Sequence, residues 1–155
     1  MGVLVVSLPI NFWRLARDLD VHWFGNARAD NLADPAFVDR LKQSGCWMLA
    51  MGIESASPDT RKDMVKRLEE EKARKAFANL RASGIKSFAF FIFGYPGETE
   101  KERRESVALM MNICRRYPGA EFWTNIFTPY PGSPIMKRAF ELGIEVPKTL
   151  EGWAD

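Results

Sequence analysis

Residues 46–58 read CWMLAMGIESASP, an almost unbroken apolar run from Cys46 to Ile53, then Glu54 and Ser55, then the pair Ser57-Pro58. The run has the length of a strand, and its lack of polar alternation suits a strand covered on both faces. Ser57-Pro58 is a helix start, because the serine side chain can satisfy a free N–H while proline at the first helical position loses no hydrogen bond. A buried strand that passes directly into a capped helix is the repeating unit of a parallel α/β sheet.

The same punctuation extends in both directions. Asp34-Pro35 and Ser133-Pro134 mark two further helix starts, and Thr99-Glu100-Lys101-Glu102 has the Thr-x-x-Glu spacing of a capping box. Gly45, Gly84, Gly119 and Gly143 stand where helices stop. Between stops and starts lie more apolar runs of strand length, at 85–94, 120–127 and, earlier, 21–27, with GVLVV and a helix near 11–19 as a further unit ahead of them. The segment 59–83 is long for one helix and predicts two, broken near Lys66 to Leu68. On the helix after Thr99, Val107, Leu109, Met110, Ile113 and Cys114 are expected to face inward. Successive strand–helix units imply parallel strands joined by right-handed crossovers, hence an α/β fold.

The chain has 155 residues, 46% of them hydrophobic, enough for one core and one domain over 1–155. Its 22 Lys+Arg against 20 Asp+Glu leave a net charge of +2, which gives no reason to expect a nucleic-acid or acidic-membrane partner. Two cysteines and one histidine cannot supply a structural zinc site or a disulfide-rich scaffold. The apolar opening 1–10 lacks the basic start and cleavage site of a signal peptide and is too short to span a bilayer, so no membrane partner and a cytoplasmic location are expected.

In parallel α/β sheets, function gathers at the C-terminal ends of the strands. Those ends place Asn26 and Arg28, Glu54 and Ser55, the loop GYPGET (94–99) and the loop TPYPGS (128–133) on one rim. Glu54 is positioned to accept two hydroxyl hydrogen bonds from a ribose, or else to complement the dipole of the helix starting at Pro58. The glycines of 94–99 allow close approach of a ligand, or simply make a tight turn. Tyr130, among prolines, is a shelf for a planar base or part of a rigid turn. Cys46 and Cys114 read as buried structural thiols.

Taken together, residues 27–46 (ARADNLADPAFVDRLKQSGC), 45–66 (GCWMLAMGIESASPDTRKDMVK), 82–102 (ASGIKSFAFFIFGYPGETEKE) and 127–143 (FTPYPGSPIMKRAFELG) resemble the later half of a radical SAM domain. They are most similar to the subgroup that carries a cobalamin-binding domain. The resemblance covers about 20–143, in order, leaving 144–155 as a tail. It implies an incomplete parallel (β/α) barrel of about four to five strand–helix units, part of the partial TIM-type barrel of that family. It also implies binding of S-adenosylmethionine against a 4Fe–4S cluster, whose reductive cleavage of the cofactor yields a 5′-deoxyadenosyl radical, with cobalamin on a separate domain. By resemblance, Glu54 and Ser55 are the polar pair that follows the fourth barrel strand, with Glu54 facing the ribose. Lys66 lies near the ribose or carboxylate, and Arg28 at the mouth of the third strand. Ile92 and Gly94 pack near the adenine, and Tyr130 lies in the loop over it. Phe90 stands where some relatives place an acid.

The departures are as informative. No CxxxCxxC exists in the sequence, Cys46 and Cys114 match no cluster position, and residues 3–9 offer only Ser7 where an acidic or Gly-Gly-Glu motif is expected. The expectation is a SAM-binding C-terminal half, inactive alone, that meets a complementing N-terminal half-barrel or self-associates. The alternatives are a non-catalytic interaction module or pseudoenzyme fragment of the same fold, and an unrelated barrel enzyme using Glu54 and Glu98 as acid and base.

Overall fold

Four strands lie side by side in chain order, each parallel to the next: β1 (Trp23–Asn26), β2 (Cys46–Glu54), β3 (Lys86–Phe93) and β4 (Glu121–Ile126). The structure, a computed structural model, describes residues 19, 21–64, 68–130, 132, 133, 135–145, 147, 149 and 152. The expected strand at GVLVV, the helix near 11–19 apart from Leu19, and Lys66 lie outside the described residues. Helices α1 (Ala29–Leu32) and α2 (Pro35–Gln43) connect β1 to β2. Helices α3 (Pro58–Asp63) and α4 (Glu70–Ala82) connect β2 to β3, α5 (Glu100–Arg116) connects β3 to β4, and α6 (Ile135–Glu141) follows β4. Strand order equal to chain order means that every crossover steps in the same direction, so right-handed connections bring the helices to one face. That winding is an arc of a (β/α) barrel rather than a doubly wound sheet, whose order reverses at a switch point.

The local signals act as their chemistry requires. The Asp34 carboxylate accepts the Ala36 N–H at 3.0 Å, and the Ser57 hydroxyl accepts the Thr60 N–H at 3.1 Å. At Gly45, φ is +87° and a methyl group would overlap the Val21 carbonyl oxygen, so the end of α2 can enter β2 only through glycine.

The helix-covered face of the sheet carries the core. Leu49, Met51 and Ile53 of β2, with Ala89 and Phe91 of β3, pack against Val38, Leu41, Ala76, Phe77, Leu80 and Ile113. Phe77 is the hub, stacked on Tyr117 with ring centroids 5.9 Å apart and tilted on Phe122 at 6.4 Å. Burying such an aromatic ring contributes roughly 2–3 kcal/mol by area alone. The opposite face presents Phe24, Met48, Phe88, Phe90, Ile92 and Trp123 from neighbouring strands. Phe88 meets Phe90 edge-on at 5.3 Å, while Trp123 remains 59% exposed. In a closed barrel this would be the inner wall.

One expectation is corrected. Val107 is 47% exposed and Cys114 is exposed, so neither belongs to the inner face of α5 or to a buried thiol pair. The face of α5 that meets the protein runs through Glu102, Ser106, Leu109 and Ile113, at steps of four, three and four. Its first half is polar because it answers polar groups after β2, and a hydrophobic pattern cannot register that. Among the described residues no helix is long and apolar enough to cross a membrane.

Candidate functional site at the strand C-terminal ends

Glu54 ends β2 and is the only non-glycine with positive φ among the described residues, at +69°. The Ser55 N–H reaches back to the Ile53 carbonyl at 3.0 Å, closing a three-residue turn centred on Glu54. That combination is the uncommon, strained form of the γ-turn. The β2–β3 register shifts here too, Gly52 facing Phe90 and Glu54 facing Phe91. A bulge of this kind re-aims the side chain that follows it. Glu54 thereby stands at the strand end on a backbone that an ordinary strand exit would not adopt.

A buried polar network lies directly behind this turn. Ser55 is 0% exposed, and its hydroxyl accepts the Ser57 N–H at 3.1 Å and lies 3.4 Å from that of Ser106. Ser106 Oγ also accepts the Ala56 N–H at 2.9 Å. The buried Arg61 donates through Nη1 to the Ser55 and Ala56 carbonyls at 2.7 and 2.9 Å. Glu102 completes the capping box of α5, accepting the Thr99 N–H at 2.8 Å, and its other oxygen accepts the hydroxyls of Ser57 at 2.5 Å and Thr60 at 3.0 Å. The Ser57 hydroxyl, followed by the Thr99 groups, holds the Glu102 carboxyl down at about 2. Five of the seven buried polar residues in the described chain belong to this network, so polarity is concentrated beneath Glu54.

The next loop is closed by its own acid. The Gly94 N–H donates to Glu98 Oε2 at 2.7 Å, with Gly94 at φ +75°, and the Glu98 N–H bonds the Tyr95 carbonyl at 2.8 Å. A side chain at Gly94 would meet only Ile126, at 4.0 Å, so the space before it is open. The other Glu98 oxygen is shielded from solvent and accepts no hydrogen bond among the described residues. Tyr95 is buried edge-on against Phe127 at 5.2 Å, and burial raises its hydroxyl above the usual tyrosine value.

The structure thus brings Glu54, Ile92 and Gly94 together at the ends of adjacent strands, Ile92 standing one residue past the partner of Glu54. Ser55 lies beneath the rim, its hydroxyl engaged in the turn. Arg28 occupies the N-cap position of α1, two residues past β1, without a capping side-chain bond, and its guanidinium forks onto Asp30 at 3.0 and 2.9 Å. That hydrogen bond raises the Arg28 pKa and lowers that of Asp30. Tyr130 is 73% exposed, in a turn closed by Ser133. Arg61, Ser106 and the second role of Glu102 escape a reading of the sequence, since no periodicity or motif marks a residue that acts on a loop 5 to 51 positions away.

An arc of parallel (β/α) barrel with its polar groups at the strand C-terminal ends defines the class. A family model described as the radical SAM superfamily matches residues 12–110, and the chain belongs to that superfamily. It is 30% identical over 122 residues to bacteriochlorophyllide d C-12(1)-methyltransferase of Chlorobaculum tepidum, covering 77% of this chain and 25% of that one. It is likewise 30% identical over 134 residues to the anaerobic magnesium-protoporphyrin IX monomethyl ester cyclase of Rubrivivax gelatinosus, covering 85% and 23%. The chain therefore spans about a quarter of the length of these curated relatives. Among solved structures, the radical S-adenosylmethionine methyltransferase TsrM from Kitasatospora setae, with cobalamin and a 4Fe–4S cluster bound, superposes with a TM-score of 0.69 at 18% identity, over 81% of this chain and 26% of that one. Coproporphyrinogen III oxidase from Escherichia coli gives 0.67 at 14%, over 81% and 30%. These two share the fold.

The superfamily implies S-adenosylmethionine and a 4Fe–4S cluster, and the residues present fit the two differently. Cys46 begins β2 at the end of the sheet opposite the rim, buried, its thiol pushed up to about 12 by desolvation, and Cys114 is on the outer face of α5. Neither stands where a cluster could meet a cofactor at the rim, and among the described residues no three His, Cys, Asp or Glu groups converge on a metal position. The cluster does not fit this chain's own ligands. The rim offers chemistry of the kind a nucleoside requires, an acceptor carboxylate in Glu54 at the end of β2 and open space before Gly94 after β3.

Proposed function

We propose that this chain is the nucleoside-binding arc of a radical SAM barrel, holding S-adenosylmethionine at the rim while another polypeptide segment supplies the cluster. The observation that carries the reading is Glu54 at φ +69°, a strained acidic residue at a strand C-terminal end. Strain of this kind persists only where the surroundings impose it, and it concentrates at ligand sites. In this reading Glu54 accepts the two ribose hydroxyls, Ile92 and Gly94 lie against the adenine, and Tyr130 covers it. Ser55 acts from below by fixing the turn. Lys66 completes the polar side, and Arg28 joins once its exposed pair with Asp30 opens, at a cost of about 0–1 kcal/mol.

The aromatic inner wall of Phe88, Phe90 and Trp123 is covered by the complementing half-barrel or by a second copy of the chain. The reaction class is methyl transfer or carbon-skeleton modification, in keeping with the methyltransferase and cyclase among the relatives, with cobalamin on a separate domain. The reading takes the protein to work in the cytoplasm, as one domain. No chemical step is assigned to Cys46 or Cys114.

The test uses S-adenosylhomocysteine, which retains the nucleoside and needs no cluster. Its binding to the 155-residue chain, alone and mixed with the cluster-bearing N-terminal half of a radical SAM barrel, is measured by calorimetry. Saturable binding that Glu54→Ala weakens at least ~10-fold, the loss of a charge-assisted hydrogen bond, supports the reading. No binding under either condition removes it.

A further inference from the structure

We infer that Arg61 is a positioning residue that holds Glu54 in its ligand-facing conformation by gripping the two peptide carbonyls that follow it. The inference rests on the proposed role of Glu54 and adds a residue that the rim itself does not reveal.

Arg61 is 5% exposed, on the short helix α3, and its hydrogen bonds run to the backbone, the Ser55 and Ala56 carbonyls both converging on Nη1. Removing a guanidinium from water is costly, and an apolar side chain of similar size would occupy the same space at lower cost. What the arginine adds is geometry. Turning Glu54 from φ +69° into the ordinary strand region would swing Ser55 and Ala56 away. That swing would break both Arg61 bonds, the Ser106 bond to the Ala56 N–H, and the Ser55 N–H bond to Ile53. The strained conformation is therefore the one in which this group of bonds is complete. Arg61 is itself held in place, because the first turn of α3 is tied through Ser57 and Thr60 to Glu102 of α5. Glu98, four residues before Glu102, closes the adjacent loop on Gly94. The two loops of the rim thus share one support.

The experiment is a double-mutant cycle on the full chain, mixed with the same N-terminal half-barrel, using S-adenosylhomocysteine as the probe. Arg61→Met keeps the volume and removes the donors; Arg61→Lys keeps a charge that can reach one carbonyl. Arg61→Met is expected to weaken binding ~10-fold and Arg61→Lys to recover part of it. In the Glu54→Ala background, Arg61→Met is expected to change binding less than ~2-fold, because its effect passes through Glu54. A readout free of ligand accompanies it: the Ser55 amide exchanges at least ~10-fold faster in Arg61→Met, while the Phe91 amide in the core is unchanged. Binding equal to wild type in Arg61→Met, or equal losses in both backgrounds, overturns the inference. Wild-type binding in Glu54→Ala, or no binding in the unaltered chain, overturns the underlying reading and the inference with it. Should Arg61→Met fail to fold, Arg61→Lys decides alone, with weakened binding and faster Ser55 exchange supporting the role and unchanged values refuting it.

Discussion

Glu102, in the first turn of α5, accepts the Ser57 hydroxyl at 2.5 Å across 45 positions of sequence while also closing its own capping box. One carboxylate therefore caps the helix after β3 and anchors the cap of the helix after β2. Its ordinary value of 4.5 is lowered to about 2, with the Ser57 hydroxyl as the leading cause. A carboxyl depressed on folding contributes stability that is complete above its unfolded value and lost as pH falls toward the folded one. Glu102→Gln should cost ~1–2 kcal/mol at neutral pH, less than the full shift because the site is in contact with solvent. In urea titrations at several pH values, the gap between the two proteins should be widest above pH ~5 and close by pH ~2. A gap independent of pH would mean that the carboxylate charge plays no part.

Strain at Glu54 makes an opposing pair of predictions. Glycine adopts positive φ without steric cost, so Glu54→Gly should be ~1 kcal/mol more stable than Glu54→Ala, about 3 °C in Tm for a chain of this size, while both weaken S-adenosylhomocysteine binding. Thermal unfolding followed by circular dichroism tests the first half, and calorimetry the second. Equal Tm in the two variants would show that the positive φ at Glu54 carries no strain.

Two glycines with similar φ should respond differently. Gly45 (φ +87°) has the Val21 carbonyl where a side chain would go, whereas Gly119 (φ +94°) has open space. Gly119→Ala should cost ~1–2 kcal/mol from backbone conformation alone, and Gly45→Ala at least ~3 kcal/mol because the segment at Val21 that leads into β1 must also shift. Comparing urea midpoints decides, and equal losses would exclude the steric contribution.

The two cysteines should separate cleanly. Cys114 is exposed, whereas Cys46 is buried with its thiol near 12. A thiol reagent at pH ~8 should modify Cys114 in the native chain and Cys46 only after unfolding, because thiolate and access are both required. Rapid modification of both would show that the N-terminal end of β2 is open.

The two faces of the sheet should tolerate truncation unequally. Phe77→Ala removes the hub of the core and should cost ~3–5 kcal/mol. Trp123→Ser, on the open face, should cost under ~1 kcal/mol in the isolated chain. It should also weaken association with the complementing half-barrel, or with a second copy, in sedimentation equilibrium. Unaltered association would assign the aromatic wall to something other than an interface.

Much of the fold was legible in the residues themselves. Apolar runs of strand length at 46–53, 85–94 and 120–127, cap residues such as Asp34 and Ser57, and the Thr99–Glu102 box are local, and local sterics and hydrogen bonding act on them wherever the chain goes. Strand ends follow from strands, so the candidate rim at Glu54 and Gly94 was legible as well. The inner face of α5 was not, because Glu102 and Ser106 face inward to meet polar groups on another loop, and hydrophobic periodicity records only apolar burial.

The sequence by itself determined the strand–helix rhythm, the placement of the rim and the superfamily, because each depends on residues within one or two turns of one another or on motifs in order. Only the tertiary structure decided how the rim is held. The strained turn at Glu54, the Arg61 grip on Ser55 and Ala56, and the double service of Glu102 join groups up to 45 residues apart. Hydrogen bonds of that kind exist only once helix packing has excluded water and brought donors to acceptors, so no stretch of the chain contains them in advance.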